Sequence, residues 1–194
     1  MVHQHEEIDV SERTISTLRL LLRPWSTSDA ESALSIFGND EVARWLAPAM
    51  TRIADVDAMR DLIQTWIEEY HDSPRPTGRW AIEEAATGQV VGAGSILPMP
   101  PFGQDLEIAW QLAPASWGQG FATEAGHALA HYAFSRGEDE VFAVVRPRNT
   151  RGLATARRVG LEWVGETDKY YDLQLQVFRL RKGDLDAPLL RRPD

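Results

Sequence analysis

Cysteine is absent from this 194-residue sequence, and lysine occurs only at Lys169 and Lys182. The absence of cysteine excludes disulfides, thiolate metal sites and a cysteine nucleophile. No apolar run reaches the roughly 18 residues that a membrane-spanning helix needs. The polar and acidic start, MVHQHEEIDV, does not resemble a signal peptide. We therefore expect a cytoplasmic protein without a membrane partner.

Basic residues are also fewer than acidic ones, which gives a net charge of −9. A nucleic-acid binder needs a basic face that displaces counterions, so this balance argues against nucleic acid as a partner. An acidic surface is instead compatible with a cationic partner such as an amine. The remaining composition, 43% hydrophobic and 25% charged, is ordinary for one globular domain.

The chain is expected to divide into a short arm, one domain and a tail. Residues 1–16 lack hydrophobic periodicity, which predicts a loose N-terminal arm. Residues 17–182 carry the periodic segments without an internal repeat or linker, which indicates a single domain. Residues 183–194 are expected to form a weakly ordered tail.

Helical and strand patterns alternate within that domain. Apolar residues at helical spacing predict four helices, the first opening on a capping-box pattern at Ser28. The predicted helices are 28–37, 55–70, 121–135 and 151–159. The predicted strands, about seven, are 18–23, 80–85, 89–97, 106–112, 140–145, 161–165 and 170–180. This order predicts an α+β fold in which helices flank a mixed, mostly antiparallel sheet.

The segment WGQGFATEA, residues 117–125, lies between a predicted strand and a predicted helix. Unpaired N–H groups and the dipole at a helix N-terminus attract anions, and Gly118 and Gly120 permit close backbone approach. A pyrophosphate fits such a loop, although a tight turn without a ligand gives the same pattern. A dinucleotide-binding fold is disfavoured, because the third glycine of GxGxxG is missing and three antiparallel strands precede the loop. No Gly-Lys-Ser/Thr follows, which argues against a P-loop.

Five segments together carry a resemblance to a known superfamily. They are LRLLLRPW, LEIAWQL, WGQGFATEA, RPRNTRG and VGLEWVGE, and they lie within residues 18–180 in that superfamily's order. The chain resembles the GNAT (general N-acetyltransferase) superfamily, and within it the branch of ribosomal-protein N-terminal acetyltransferases. The glycine loop is the most specific of these motifs.

The resemblance implies acetyl-CoA as the acyl donor. The strand at 106–112 is expected to splay from the parallel strand at 140–145, as the fourth and fifth strands of the sheet. The pantetheine arm is then expected in the V-shaped gap, and the pyrophosphate on the amides of 118–123. The implied cofactor-binding residues are Trp110, Gln111, Leu112, Trp117, Gly118, Gln119, Gly120, Phe121, Ala122, Thr123, Asn149 and Gly152.

The sequence departs from this pattern where a general acid is usual. The branch often has Ser three residues after the Asn, where this chain has Gly152. Other branches place Tyr seven residues after the Asn, where this chain has Ala156. Tyr170 and Tyr171 are therefore the candidates for protonating the leaving thiolate, and the alternative is that they wall the acceptor pocket.

Glu107 is the expected base, because the branch often has Glu at the matching position of the splayed strand. Acetyl transfer to nitrogen needs a neutral amine, and a lysine ε-amine with a pKa of about 10.4 is mostly protonated at pH 7. A cross-strand ion pair is the alternative role for Glu107. Asp105, in the preceding loop, is the weaker candidate.

These features predict an N-acetyltransferase that acts by direct attack in a ternary complex. The acceptor class, a protein N-terminus, an amino acid or a small amine, stays open, and a homodimer is possible. No metal is expected, because His127 and His131 have ligand spacing without an HExxH motif. The alternative function is a non-catalytic CoA or nucleotide sensor.

Overall fold

The computed structural model describes residues 8–11, 13–69 and 75–185, and its strands form one sheet. The strands are β1 (Asp9–Ser11), β2 (Thr14–Ser16), β3 (Leu20–Pro24), β4 (Gly78–Glu84), β5 (Gln89–Pro98), β6 (Leu106–Leu112), β7 (Glu140–Val145), β8 (Glu162–Thr167) and β9 (Leu175–Arg181). They neighbour one another in chain order, except that β9 lies between β7 and β8. All neighbouring pairs are antiparallel except β6 and β7, which are parallel.

Helices cover both faces of the sheet. They are α1 (Ala30–Phe37), α2 (Asp40–Ala43), α3 (Val56–Glu69), α4 (Phe121–Ser135), α5 (Thr150–Val159) and α6 (Lys182–Leu185). The periodic spacing that predicted α3 also sets its buried stripe of Met59, Ile63 and Trp66. No helix in the described part of the chain is long and apolar enough to cross a membrane.

The alternation of side chains along the strands divides the core into two main layers. Leu106, Ile108 and Leu112 of β6 pack in the layer that includes α4. Ala81 and Ala93, on β4 and β5, pack in the other layer with α1 and α3. Residues 107, 109 and 111 of β6 therefore share the face that α1 and α3 cover.

The predicted α+β class with a mixed, mostly antiparallel sheet is confirmed, but the element counts differ. The described residues form nine strands and six helices, where the sequence predicted about seven and about four. The additional strands are β1 and β2, which lie in the segment predicted as a loose arm. Each has only three residues, too few for a period-2 pattern to be read from sequence.

Both predicted chain ends are more ordered than expected where they are described. Ile15 of β2 is fully buried and lies opposite Leu22 of β3, which fixes the arm to the sheet. At the other end, residues 183–185 of the predicted tail belong to α6, which begins at Lys182. The rest of these two predictions concerns residues 1–7, 12 and 186–194, which lie outside the described residues.

Two boundaries also need correction. The predicted strand 170–180 begins only at Leu175, because the preceding residues form a turn with Tyr171 and Asp172 at positive φ. The first capping box is built by Ser26 and Asp29 around a short 3-10 helix, not by the pattern at Ser28. In both cases the conformation of the preceding turn determines where the strand or helix begins.

Candidate active site

The parallel strands β6 and β7 separate after a single pair of facing residues. Glu107 lies opposite Phe142, and residues 108–112 have no β7 partner. Each strand then runs into a proline-containing segment, with Pro114 after β6 and Pro147 after β7. The backbone of β6 beyond Glu107 therefore lines a V-shaped opening, whose vertex is at Glu107. The splay predicted between the fourth and fifth strands is found here, between β6 and β7.

The carboxylate of Glu107 is half-buried at this vertex. The Tyr171 Oη donates a hydrogen bond of 2.6 Å to Glu107 Oε2, and the Val144 backbone N–H donates to the same carboxylate. Burial raises the pKa of Glu107 to about 7, although Tyr171, Val144 and the Arg79 guanidinium each lower it. A carboxylate with a pKa near 7 changes protonation in the range in which a general base operates.

Tyr171 reaches Glu107 because its backbone turns sharply. Tyr171 and Asp172 have φ values of 58° and 53°, a left-handed pair that reverses the chain between β8 and β9. Burial, followed by the negative charge of Glu107, raises the pKa of the Tyr171 phenol above its ordinary value. The phenol therefore stays protonated at neutral pH and acts as a donor toward Glu107.

Tyr170 is placed differently, although it is the adjacent residue. Its hydroxyl donates to Asp105 Oδ2 at 2.9 Å, and Lys169 Nζ lies 3.5 Å from the same carboxylate oxygen. Its ring is buried in a small cluster with Met99 and Leu175. The structure thus brings Tyr171 to Glu107, while Tyr170 ties the β8–β9 turn to Asp105.

The loop before α4 has the backbone that an anion site requires. Gly118 and Gly120 have φ values of 79° and 83°, which a residue with a side chain rarely adopts. Within the described part of the chain, the N–H groups of residues 118–122 have no hydrogen-bond acceptor. The Thr123 N–H donates to Gly120 O at 3.1 Å, so Thr123 offers only its hydroxyl. Five successive amides thus remain at the N-terminus of α4, with Phe121 burying its ring.

Arg19, which the sequence reasoning missed, lies in the connection between β2 and β3 and contacts the loop before α4. Its guanidinium pairs with Glu124 at 2.6 Å and donates to Gln119 O at 2.9 Å. The Thr17 hydroxyl donates to the second oxygen of Glu124 at 2.6 Å. The TLR tripeptide and the Glu of ATEA lie over 100 residues apart, and no local pattern indicates that they meet.

Trp117 closes the other side of the loop. Its Nε1–H donates to Leu112 O at 3.0 Å, and its ring packs against both core layers. The Arg151 guanidinium lies 4.1 Å from the centroid of that ring. Among the other residues of β6, Trp110 packs in the α4 layer, and Gln111 is half-buried on the opposite face.

Asn149 begins α5 as its N-cap. Its Oδ1 accepts a 3.0 Å hydrogen bond from the Gly152 N–H. A Cβ at Gly152 would lie 2.8 Å from Asn149 Nδ2 and 2.9 Å from a Val145 methyl. A side chain at position 152 would therefore require Asn149 or Val145 to shift.

Arg79 is the second residue that sequence reasoning missed. It lies on β4 in the row that continues through Ser95 of β5 to Ala109 of β6. Its guanidinium stacks 5.0 Å from the Trp66 ring and lowers the pKa of both Glu107 and Tyr171. Only the pairing register of three strands brings it near Glu107, so the sequence carries no signal for it.

Comparisons with known proteins identify the family of this chain. A family model described as an acetyltransferase (GNAT) domain matches residues 19–162. Uncharacterized N-acetyltransferase YoaA of Bacillus subtilis is 27% identical over 157 residues, 80% of this chain and 86% of the relative. The FsC-acetyl coenzyme A-N(2)-transacetylase of Aspergillus fumigatus is 27% identical over 170 residues, 84% of this chain and 70% of the relative.

The fold also recurs among solved structures. The ribosomal-protein-S5-alanine acetyltransferase from Vibrio fischeri superposes with a TM-score of 0.69. The alignment covers 90% of this chain and 99% of that protein at 14% identity. At that identity the likeness concerns the fold alone.

Proposed function

The chain belongs to the GNAT acetyltransferase family, and from that premise we propose that it transfers acetyl from acetyl-CoA to a primary amine. The reaction proceeds by direct attack of the amine on the thioester while both substrates are bound. The observation that carries this proposal is Glu107, a carboxylate with a pKa near 7 at the vertex of the splayed strands.

Acetyl-CoA occupies the V-shaped opening in this proposal. Its pyrophosphate binds the five amides of residues 118–122, where a helix N-terminus adds positive potential. Its pantetheine arm pairs with the backbone of Trp110, Gln111 and Leu112, which β7 leaves unpaired. A relative whose name specifies acetyl coenzyme A supports this donor.

The acceptor amine enters from the face of the sheet that carries Glu107. A lysine-like amine is neutral in about one molecule in 2,500 at pH 7, and an α-amine in about one in seven. Glu107 takes the proton from the ammonium or from the attacking nitrogen, directly or through one water. Backbone N–H groups of β6 polarise the thioester carbonyl, and positioning supplies much of the remaining rate.

The leaving thiolate needs little help. A thiol with a pKa of about 8.5 is a moderately good leaving group, so the thiolate departs and takes a proton later. Tyr171 keeps its proton at neutral pH and is directed at Glu107, so we assign it first to holding the base. Delivery of its proton to the thiolate is the alternative role.

The acceptor class is a protein N-terminus, an amino acid or a small-molecule amine. The alternative is a non-catalytic CoA or nucleotide sensor, which the departures at Gly152 and Ala156 favour. The test is calorimetry with acetyl-CoA and with NADPH. Micromolar binding of acetyl-CoA without binding of NADPH is expected, and the reverse pattern would sink the proposal.

A further inference from the structure

Arg151 lies where the loop of residues 117–120 meets the start of α5. Its guanidinium carbon is 4.1 Å from the centroid of the Trp117 ring. Trp117 is itself fixed by its 3.0 Å hydrogen bond to Leu112 O and by packing against both core layers. The indole is therefore a rigid platform that fixes the position of an otherwise exposed cation.

Arg151 has no ion-pair partner in the part of the chain that the structure describes. Arg19, on the other side of the same loop, is paired with Glu124 at 2.6 Å. A guanidinium that stacks by its face keeps its N–H donors available at its edge.

The topology places this cation at the mouth of the V-shaped opening. The parallel strands β6 and β7 end at the same edge of the sheet, and they lead into the glycine loop and into α5 respectively. With the thioester near Glu107 and the pyrophosphate on the loop, the adenosine end of acetyl-CoA lies outside the gap. That end carries a phosphomonoester, whose charge near pH 7 is about −1.5 to −2.

We propose that Arg151, held on Trp117, binds the 3′-phosphate of acetyl-CoA and makes the enzyme select CoA over its 3′-dephospho form. This inference rests on the proposed function, since it takes acetyl-CoA as the donor. The guanidinium edge donates charge-assisted hydrogen bonds to the phosphate oxygens. The loop amides bind the pyrophosphate, which both forms of CoA share, whereas the contact with Arg151 forms only with the 3′-phosphate.

Calorimetry with acetyl-CoA and acetyl-3′-dephospho-CoA tests the proposal. We expect the wild-type protein to bind acetyl-CoA about tenfold more tightly than the dephospho form. Arg151→Gln is expected to bring this ratio close to one while leaving the affinity for the dephospho form within about twofold. Arg151→Lys retains the charge without the planar donor edge, so an intermediate ratio is expected.

Arg158→Gln is the matched control, because it removes the same charge from the same helix about 10 Å further along. The control is expected to keep the wild-type ratio. Equal binding of the two ligands by the wild type, or an equal loss for both in Arg151→Gln, overturns the assignment of the 3′-phosphate. Failure of the wild type to bind either ligand overturns the proposed function instead.

Discussion

Replacing Glu107 with glutamine removes the proposed base and almost nothing else. The amide keeps the shape of the side chain, and its single carbonyl oxygen can still accept the hydrogen bond from Tyr171. Acetyl-CoA affinity should therefore stay within about twofold of wild type, because the loop of residues 117–120 is untouched. A general base contributes roughly 100- to 10,000-fold, so kcat/KM should fall within that range for a lysine-like amine. A smaller fall is expected for an α-amine, which is more often neutral.

The pH dependence gives the sharper test. Glu107 must be deprotonated to accept a proton, so wild-type activity should rise with pH through an apparent pKa of about 7. An amine acceptor adds its own ionisation at its own pKa. When the pH–rate profile is measured with several amines of different pKa, the limb that reports Glu107 should stay near pH 7. The limb that reports the amine should move with the pKa of that amine. In Glu107→Gln the limb near 7 should be absent.

Stability should change in the opposite direction from activity. Because the folded-state pKa of Glu107 is raised from about 4.5 to about 7, the folded protein binds more protons than the unfolded chain between those values. The free energy of unfolding therefore falls as pH rises through that window. The loss is at most about 3 kcal/mol, and less because the side chain is only half-buried. Glu107→Gln lacks this loss and should match or exceed the wild-type Tm at pH 8.

The assay combines thiol release from acetyl-CoA, a pH series from 5 to 9 and thermal melts at both ends. Asp57→Asn, an exposed carboxylate on α3, is the matched control and should leave activity and its pH profile unchanged. Undiminished turnover by Glu107→Gln, with the limb near pH 7 intact, refutes the assignment of the base. A Tm of Glu107→Gln well below that of the wild type at pH 8 refutes the inference that the ionised Glu107 carboxylate lowers stability.

Three further variants probe the surrounding contacts. Tyr171→Phe removes a hydrogen-bond donor that lowers the pKa of Glu107. The acid limb of the pH–rate profile should therefore move to higher pH, while the maximal rate stays the same. A maximal rate reduced at every pH would instead make Tyr171 the general acid. Gly120→Ala places a side chain at a φ of 83° and should lower the free energy of unfolding by about 1–2 kcal/mol, and with it both Tm and acetyl-CoA affinity. The control Gly137→Ala, at a φ of 99°, should lower Tm alone. Asn149→Ala removes the N-cap of α5, at about 1 kcal/mol or 2–4 °C of Tm, and unchanged melting would contradict the cap.

The sequence predicted the elements with strong periodicity and missed those with little. The apolar spacing of α3 and α4 predicted both helices nearly to their ends. Strands β1 and β2 are too short to show alternation, and the turn before β9 was read as strand because YYDLQLQV is rich in aromatic and branched residues. There the left-handed pair at Tyr171 and Asp172 overrides the propensity.

The sequence also predicted the contiguous part of the site and missed the contacts between distant residues. The glycine loop could be placed from sequence because its residues are contiguous and its chemistry is local. The Glu107–Tyr171 contact joins residues 64 apart, and whether Tyr170 or Tyr171 faces Glu107 depends on a single backbone reversal. Arg19 and Arg151 lie within motifs that carry the resemblance, but their contacts, like those of Arg79, depend on strand register or helix packing that a motif does not show.

The most direct measurement of the central claim is simultaneous quantification of free CoA and acetylated amine across a panel of α-amines, lysine-like amines and small-molecule amines. Amine-dependent CoA release that matches acetylated product one for one, with intersecting rather than parallel initial-rate lines, is the predicted result. Tight binding of acetyl-CoA without product from any amine, or parallel lines that indicate a covalent intermediate, would contradict the account.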